Sequence, residues 1–355
     1  MKRILLSAGA VLFGLFLACL GDGSTGPATP SALHGWVVGE LDGDDVTILH
    51  TTDGSTWTLQ ATGLILDGAS LSSVVTVDSM TAWAAGGLSN GYGVVIRTTD
   101  GGENWTRVGS APDLPSCTNC LYAFDSNTAW VVGIDNMIRR TADGGETWES
   151  CSDPAFDGTA WQGIHCLSQT DIWVSGGMEG QGGRIIHTVN GGLDWTSEAD
   201  SLIVDYQMIT VTAWDASNVW VVGHGFSIIK TTDGGDSWNM VTPDSFQGYP
   251  DDANGITLLS PNDAWVVLDY GNIWKTSDGG ENWTYQSVPS GVGGFLMLRI
   301  SAQDLNTAWA SGRSGSGLPE GAVIYTNDGG STWTRQDDGS YPGLWAVSFA
   351  DDCPN

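Results

Sequence analysis

The sequence predicts an all-β chain folded as a seven-bladed β-propeller with four strands per blade. Two repeated patterns and their spacing carry this expectation. A box of the form Thr-x-Asp-Gly-Gly-x-x-Trp occurs seven times, and a Trp-Val-Val-Gly strand or a near variant precedes every copy. The box acids stand at Asp53, Asp100, Asp143, Asn190, Asp233, Asp278 and Asp328, in steps of 47, 43, 47, 43, 45 and 50 residues. Periods of that size belong to propeller blades and similar repeat arrays.

Each element of the repeat has a physical reason. In the box, the acid accepts hydrogen bonds from its own turn, and glycine takes the positive φ that such turns need. The box acids are therefore expected to be structural. The box tryptophan opens the next strand and brings a large buried surface. Apolar pairs such as Val95-Ile96, Ile185-Ile186 and Ile228-Ile229 mark the strand that enters the box. Further upstream stand Trp36, Trp83, Trp130, Trp173, Trp220, Trp265 and Trp309, so fourteen of the 18 tryptophans occupy two repeated slots. One more strand precedes these, as in Leu121 to Phe124 and Ile256 to Leu259. The strands are lettered A to D, with the box in the C–D turn.

The two ends of the repeat predict a closed ring. Residues 34–39, His-Gly-Trp-Val-Val-Gly, form a strand B with no strand A of their own, and Leu344 to Ala350 form a strand A with no strand B after it. Pairing the two completes the first blade and removes two open sheet edges.

Composition narrows the function. The formal charge is −29, and loss of Lys2 and Arg3 with a leader makes it −31. Such a surface repels nucleic-acid phosphates and anionic lipid. Residues 1–19 have a basic start, an apolar run from Ile4 to Ala18 and then Cys19, the layout of an export signal. Phe16-Leu17-Ala18-Cys19 resembles the bacterial lipoprotein box, with Cys19 as the lipidation site. Residues 20–32 follow as a Gly/Ser/Thr/Pro-rich tether, and residues 33–355 form the propeller. The expected location is the bacterial cell envelope, lipid-anchored or secreted, with membrane contact only through the anchor. Export favours disulfides among Cys117, Cys120, Cys151, Cys166 and Cys353. Cys151 and Cys166 flank one D–A connection and are candidates for a staple across it; spacing leaves the pairings open. Cys117-Thr-Asn-Cys120 lacks a second ligand pair, so no metal site and no cofactor is expected.

Antiparallel strands place the A–B and C–D turns on one face of the disc and the B–C and D–A connections on the other. The second face carries the length variation, and function on rigid scaffolds concentrates in such loops. Its acids are Asp42, Asp44, Asp45, Asp153, Asp157, Asp244, Asp251, Asp252, Asp337 and Asp338, and its candidate binding aromatics are Tyr92, Trp161, Tyr249 and Tyr341. Three positions before each box acid stand His50, Arg97, Arg140, His187, Lys230, Lys275 and Tyr325. A cation there is expected to lie on a neighbouring Trp face or to bond an adjacent turn. Arg97 and Arg140 are also candidate binding residues.

The boxes and the Trp-Val-Val-Gly strands resemble those of bacterial neuraminidase repeat, or Asp-box, propellers. The single-domain form behind a lipoprotein-like leader is most similar to the photosystem II stability/assembly factor family. The resemblance covers residues 33–355 and departs at two boxes: Asn190 replaces Asp, and the box at Asp53 is one residue short. It implies a non-enzymatic, monomeric propeller that binds a protein or carbohydrate partner at the cell envelope. The alternative is a glycoside hydrolase, sialidase- or xyloglucanase-like, using loop carboxylates. A sialidase would need three convergent arginines, and Arg97, Arg107, Arg139, Arg140, Arg184, Arg299, Arg313 and Arg335 show no recognisable arrangement.

Overall fold

A computed structural model describes residues 33–350 apart from 43–44, 61, 65, 67, 179–181, 200–201, 204–206, 243–250 and 317–319. The expectations for the leader, the tether, Cys19, Asp44, Asp244, Tyr249 and Cys353 fall outside the described residues. The described chain forms seven four-stranded antiparallel sheets. In blades 2 to 7 strands A to D follow one another along the chain, and in blade 1 strand A comes from the other end. The A strands are Leu344–Phe349 in blade 1, Ser70–Thr76, Thr118–Ala123, Ala160–Cys166, Met208–Ala213, Ala253–Leu258 and Phe295–Ala302 in blade 7. Each packs beside the A strands of both neighbouring blades, and the last touches the first, so the ring is closed around an axis.

Closure takes the predicted form. Strand Leu344–Phe349 pairs antiparallel with Gly35–Asp42, through Gly35↔Phe349, Trp36↔Ser348, Val37↔Val347 and Val38↔Ala346. Thr76 of blade 2 grips the same strand, its Oγ1 donating to the Ser348 carbonyl at 2.8 Å and its N–H to Ser348 Oγ at 3.0 Å. On the other side Phe349 stacks on Trp309 of blade 7 at 3.9 Å.

The core lies between blades. Every B-strand tryptophan of the repeat is fully buried, which suits residues that each bury ~150–250 Å². The cluster around Trp83 joins Ala85 and Val95 of blade 2 to Leu121, Val131 and Trp148 of blade 3. Box turns complete these contacts. In blades 4 to 7 the second box glycine has positive φ and lies against the B-strand tryptophan of the preceding blade: a Cβ on Gly330 would meet Trp265 at 2.8 Å, and one on Gly280 would meet Trp220 at 3.2 Å. Thr-x-Asp-Gly-Gly is thus a connector between blades as well as a turn.

Inside the turn the hub is the threonine. All seven box threonines are buried. Thr231 Oγ1 accepts from Gly235 N at 3.0 Å and Asp233 N at 3.2 Å while donating to Asp233 Oδ1 at 2.7 Å. The carboxylate itself faces solvent, accepting from Ser237 N at 2.9 Å and from the Ser237 hydroxyl. Side-chain and backbone bonds of this kind hold Asp143 and Asp233 down to about 2, with the Thr147 and Ser237 hydroxyls the largest causes.

Cys117, Cys120, Cys151 and Cys166 are free thiols. The expected staple between Cys151 and Cys166 is absent: both pack as small apolar groups in the core beside Trp130 and Ile164, and burial pushes both thiols up.

Candidate functional site

The slot three positions before each box acid is spent on the fold. Its residue stands directly opposite the B-strand tryptophan in all seven blades. His187 stacks on Trp173 at 3.8 Å, and Lys275 sits 4.3 Å over Trp265. Arg97 covers Trp83 and donates to the Ser126 carbonyl of the next blade, and Arg140 covers Trp130 and donates to the Gly191 carbonyl at 3.2 Å. Arg97 and Arg140 therefore act as clamps between blades on the box face.

The opposite face opens on the axis. Each A strand departs from regular pairing at one residue: Ser72, Asn119, Gln162, Ile209, Asn254, Leu298 and Trp345. A bulge of this type turns a side chain away from its sheet. All seven of these residues line one axial pocket of about 190 Å³, together with Arg299. In six blades the glycine that ends the Trp-Val-Val-Gly strand makes room for the bulge, and in blade 6 Leu268 stands at that position beside the same bulge. A Cβ on Gly86, Gly133, Gly176 or Gly223 would run into the carbonyl that the bulge pushes across, Ser70, Cys117, Ala160 and Gln207 respectively. The repeated motif of strand B thus builds the pocket in strand A.

The pocket wall is fixed by bonds that run from blade to blade. Ser72 Oγ donates to the Asn119 carbonyl at 3.0 Å, Asn119 Nδ2 to the Trp161 carbonyl at 2.8 Å, and Asn254 Nδ2 to the Met297 carbonyl at 3.0 Å. Thr210 Oγ1 and Arg299 Nη1 both reach the Asn254 carbonyl, at 2.7 and 3.0 Å. The Arg313 guanidinium lies 4.9 Å over the Trp345 ring. Arg299 is the one formally charged residue in the lining, and no carboxylate belongs to it.

The candidates on the loop face separate. Tyr92 is exposed in the B–C loop of blade 2, next to the start of strand C. Tyr341 is half-buried, and burial followed by the charges of Asp338, Asp337 and Asp42 pushes its hydroxyl up. Trp161 is not on the surface: it lies in the A strand of blade 4 with no exposure, its Nε1 donating to Asn136 Oδ1 at 3.0 Å. Its place beside the inner-strand bulge turns the indole into the gap between blades 3 and 4. Tyr270, 60% exposed with φ 59° in the B–C loop of blade 6, is an aromatic that sequence reasoning missed. Several loop acids are tied to neighbouring loops and strands. Asp45 accepts from Thr62 Oγ1 at 2.6 Å, Asp337 from Val323 N at 2.7 Å, and Asp252 from Gly225 N at 2.9 Å. Among the described residues no group of three His, Cys, Asp or Glu side chains is arranged to hold a metal ion.

Comparison with known proteins places this architecture. The family described as Photosynthesis system II assembly factor YCF48 matches residues 28–164 and 168–297, three quarters of the chain. The chain belongs to this family. A curated YCF48-type relative, the Photosystem II assembly lipoprotein Ycf48 of Synechococcus sp. (strain CC9902), is 28% identical over 121 residues. That match spans 34% of this chain and 35% of the relative, about a third of its length. Among solved structures, YCF48 bound to D1 peptide superposes with a TM-score of 0.63 at 18% identity, covering 85% of this chain and 94% of that one. YCF48 from Cyanidioschyzon merolae gives 0.62 at 21% identity, over 85% and 96%. A GH74 enzyme of Niastella koreensis gives 0.53 at 11% identity, over 88% and 67%. At these identities the superpositions show the fold alone.

Proposed function

We propose that this protein is a non-enzymatic binding propeller that holds a partner protein on its loop face. The contrast between the two faces carries the reading. On the box face the repeated cations lie on tryptophans and several bond the next blade, and the box acids are tied into their own turns. The loop face presents Tyr92, Tyr270 and an axial pocket ringed by seven bulged residues. Exposed aromatics around a fixed polar pocket suit recognition of a protein surface. Membership of a family whose relatives include a protein solved with a bound peptide supports the same direction. We place the protein at the cell envelope, exported and anchored through Cys19, in line with its resemblance to a lipoprotein.

The test is a cross-linked pull-down from a cell-envelope extract, with the captured protein identified by mass and then remade pure. Tyr92→Ala combined with Tyr270→Ala should weaken its binding by about tenfold or more, and Trp214→Ala, at an exposed residue of the A–B turn of blade 5 on the box face, should leave it unchanged. A panel of polysaccharides and sialosides incubated with the protein should yield no product. Turnover that vanishes on changing one loop carboxylate would overturn the reading in favour of a glycoside hydrolase.

A further inference from the structure

The axial pocket is built in more detail than a packing defect requires, because seven separate strand irregularities each deliver one residue to it. We propose that it anchors the partner by taking the tip of an extended, uncharged peptide segment, with one apolar side chain against Ile209, Leu298 and Trp345 and the adjoining backbone amide on Gln162. This rests on the protein-binding reading and names what the loop face holds.

Size comes first. Pockets for whole small molecules run to ~300–1,000 Å³, and this one is about 190 Å³. It suits the end of something larger. Chemistry then divides the lining into two arcs. Blades 2 to 4 contribute Ser72, Asn119 and Gln162, and blades 5, 7 and 1 contribute Ile209, Leu298 and Trp345, with Asn254 of blade 6 and Arg299 of blade 7 set among them. The Ser72 hydroxyl and one amide hydrogen of Asn119 are committed to backbone carbonyls, and Asn254 donates to the Met297 carbonyl and to the carboxylate of Asp269, which lies behind the lining. Gln162 has no hydrogen-bond partner among the described residues. Its amide offers one donor group and one acceptor, the complement of a peptide unit. A polar arc facing an apolar arc therefore matches a backbone with one apolar side chain.

Charge sets the remaining selectivity. The chain carries −29 overall, yet the lining holds no acid and one arginine. A lysine tip would be desolvated beside Arg299 with no carboxylate in the lining to pair it, Asp269 behind it being bonded to Asn254, which is costly. The wall is also held by blade-to-blade hydrogen bonds before any ligand arrives, so little ordering is needed on binding.

The test uses the full chain and acetylated, amidated peptides Gly-Gly-X-Gly-Gly with X as Leu, Phe, Asn or Lys. Binding is read from the 15N-resolved side-chain amide of Gln162, assigned through Gln162→Ala. Leu and Phe peptides should shift that resonance and bind about tenfold more tightly than the Lys peptide. Ile209→Trp, which fills the pocket, should abolish the shift. If that variant unfolds, Leu298→Trp serves in its place, and Gln162→Ala should weaken binding in a chain of unchanged thermal midpoint. No shift with any peptide at millimolar concentration, equal binding by the filled variant, or displacement of the peptides by glucose or N-acetylglucosamine would each overturn the proposal. If the peptides fail while Tyr92→Ala with Tyr270→Ala still releases the captured protein, the pocket proposal falls and the protein-binding reading stands.

Discussion

Asn190 Nδ2 donates to Asp194 Oδ2 at 3.0 Å, reversing the polarity of that contact in the other boxes. Elsewhere the box acid accepts at this point, from Thr147 in blade 3 and Asn282 in blade 6, for example. In blade 4 the acid has moved four residues on and the donor has taken its place. The Asn at position 190 is thus one half of a matched exchange. Asn190→Asp should set two carboxylates against each other and lower stability by up to about 1 kcal/mol at this exposed site. Asp194→Asn in the same chain should restore it, and a double-mutant cycle by urea unfolding measures the coupling.

The buried threonine matters more than the exposed acid. Thr231→Val keeps the shape and removes an acceptor serving Gly235 N and Asp233 N. A loss of about 1–3 kcal/mol is expected for buried donors left unpaired. Asp233→Asn, whose site faces water, should cost clearly less. Chemical denaturation of the two variants side by side checks the order.

Acid should unfold the ring in two stages. Burial, with His34 a smaller cause, lowers His50 to about 4, and burial lowers His165 to about 4. A histidine held below its free value of ~6.5 binds more protons when unfolded, so stability falls as pH drops from there towards 4. The box carboxyls are held below their free value near 3.9, so their contribution is complete above that value and fades as pH falls towards about 2. Thermal midpoints between pH 8 and 2 should show both slopes. Asp143→Asn with Asp233→Asn should flatten the second and leave the first.

Removing residues 344–355 deletes the inner strand of blade 1, uncovers Trp309 where Phe349 stacks, and leaves Thr76 without Ser348. The truncated chain should melt far below the intact one or fail to fold. An equal thermal midpoint would contradict the closed ring.

How far the sequence could carry these conclusions depended on which strand held the information. Strands B and C and the box repeat in sequence, so the blade count, the closing strand and the pairing of Lys275 with Trp265 were legible. The A strands share no common residue at the bulge, where Ser72, Asn119, Gln162, Ile209, Asn254, Leu298 and Trp345 stand and only asparagine occurs twice, so the pocket left no repeated pattern to find. Its one trace was the glycine of Trp-Val-Val-Gly, which marks the carbonyl crossing opposite. Trp161 was misplaced because it stands where the D–A connection passes into strand Ala160–Cys166, and it belongs to the strand, with its indole buried against blade 3. The cysteines misled because compartment predicts oxidation in general, whereas Cys151 and Cys166 sit as separate buried core groups.

Amide hydrogen exchange of the chain with and without its captured protein distinguishes a loop face that binds from a box face that builds. The account predicts new protection in residues 88–92, 269–272 and 337–343 and at the starts of the A strands, with the seven box turns unchanged. Protection confined to the box turns, with the loop face exchanging as before, would contradict it.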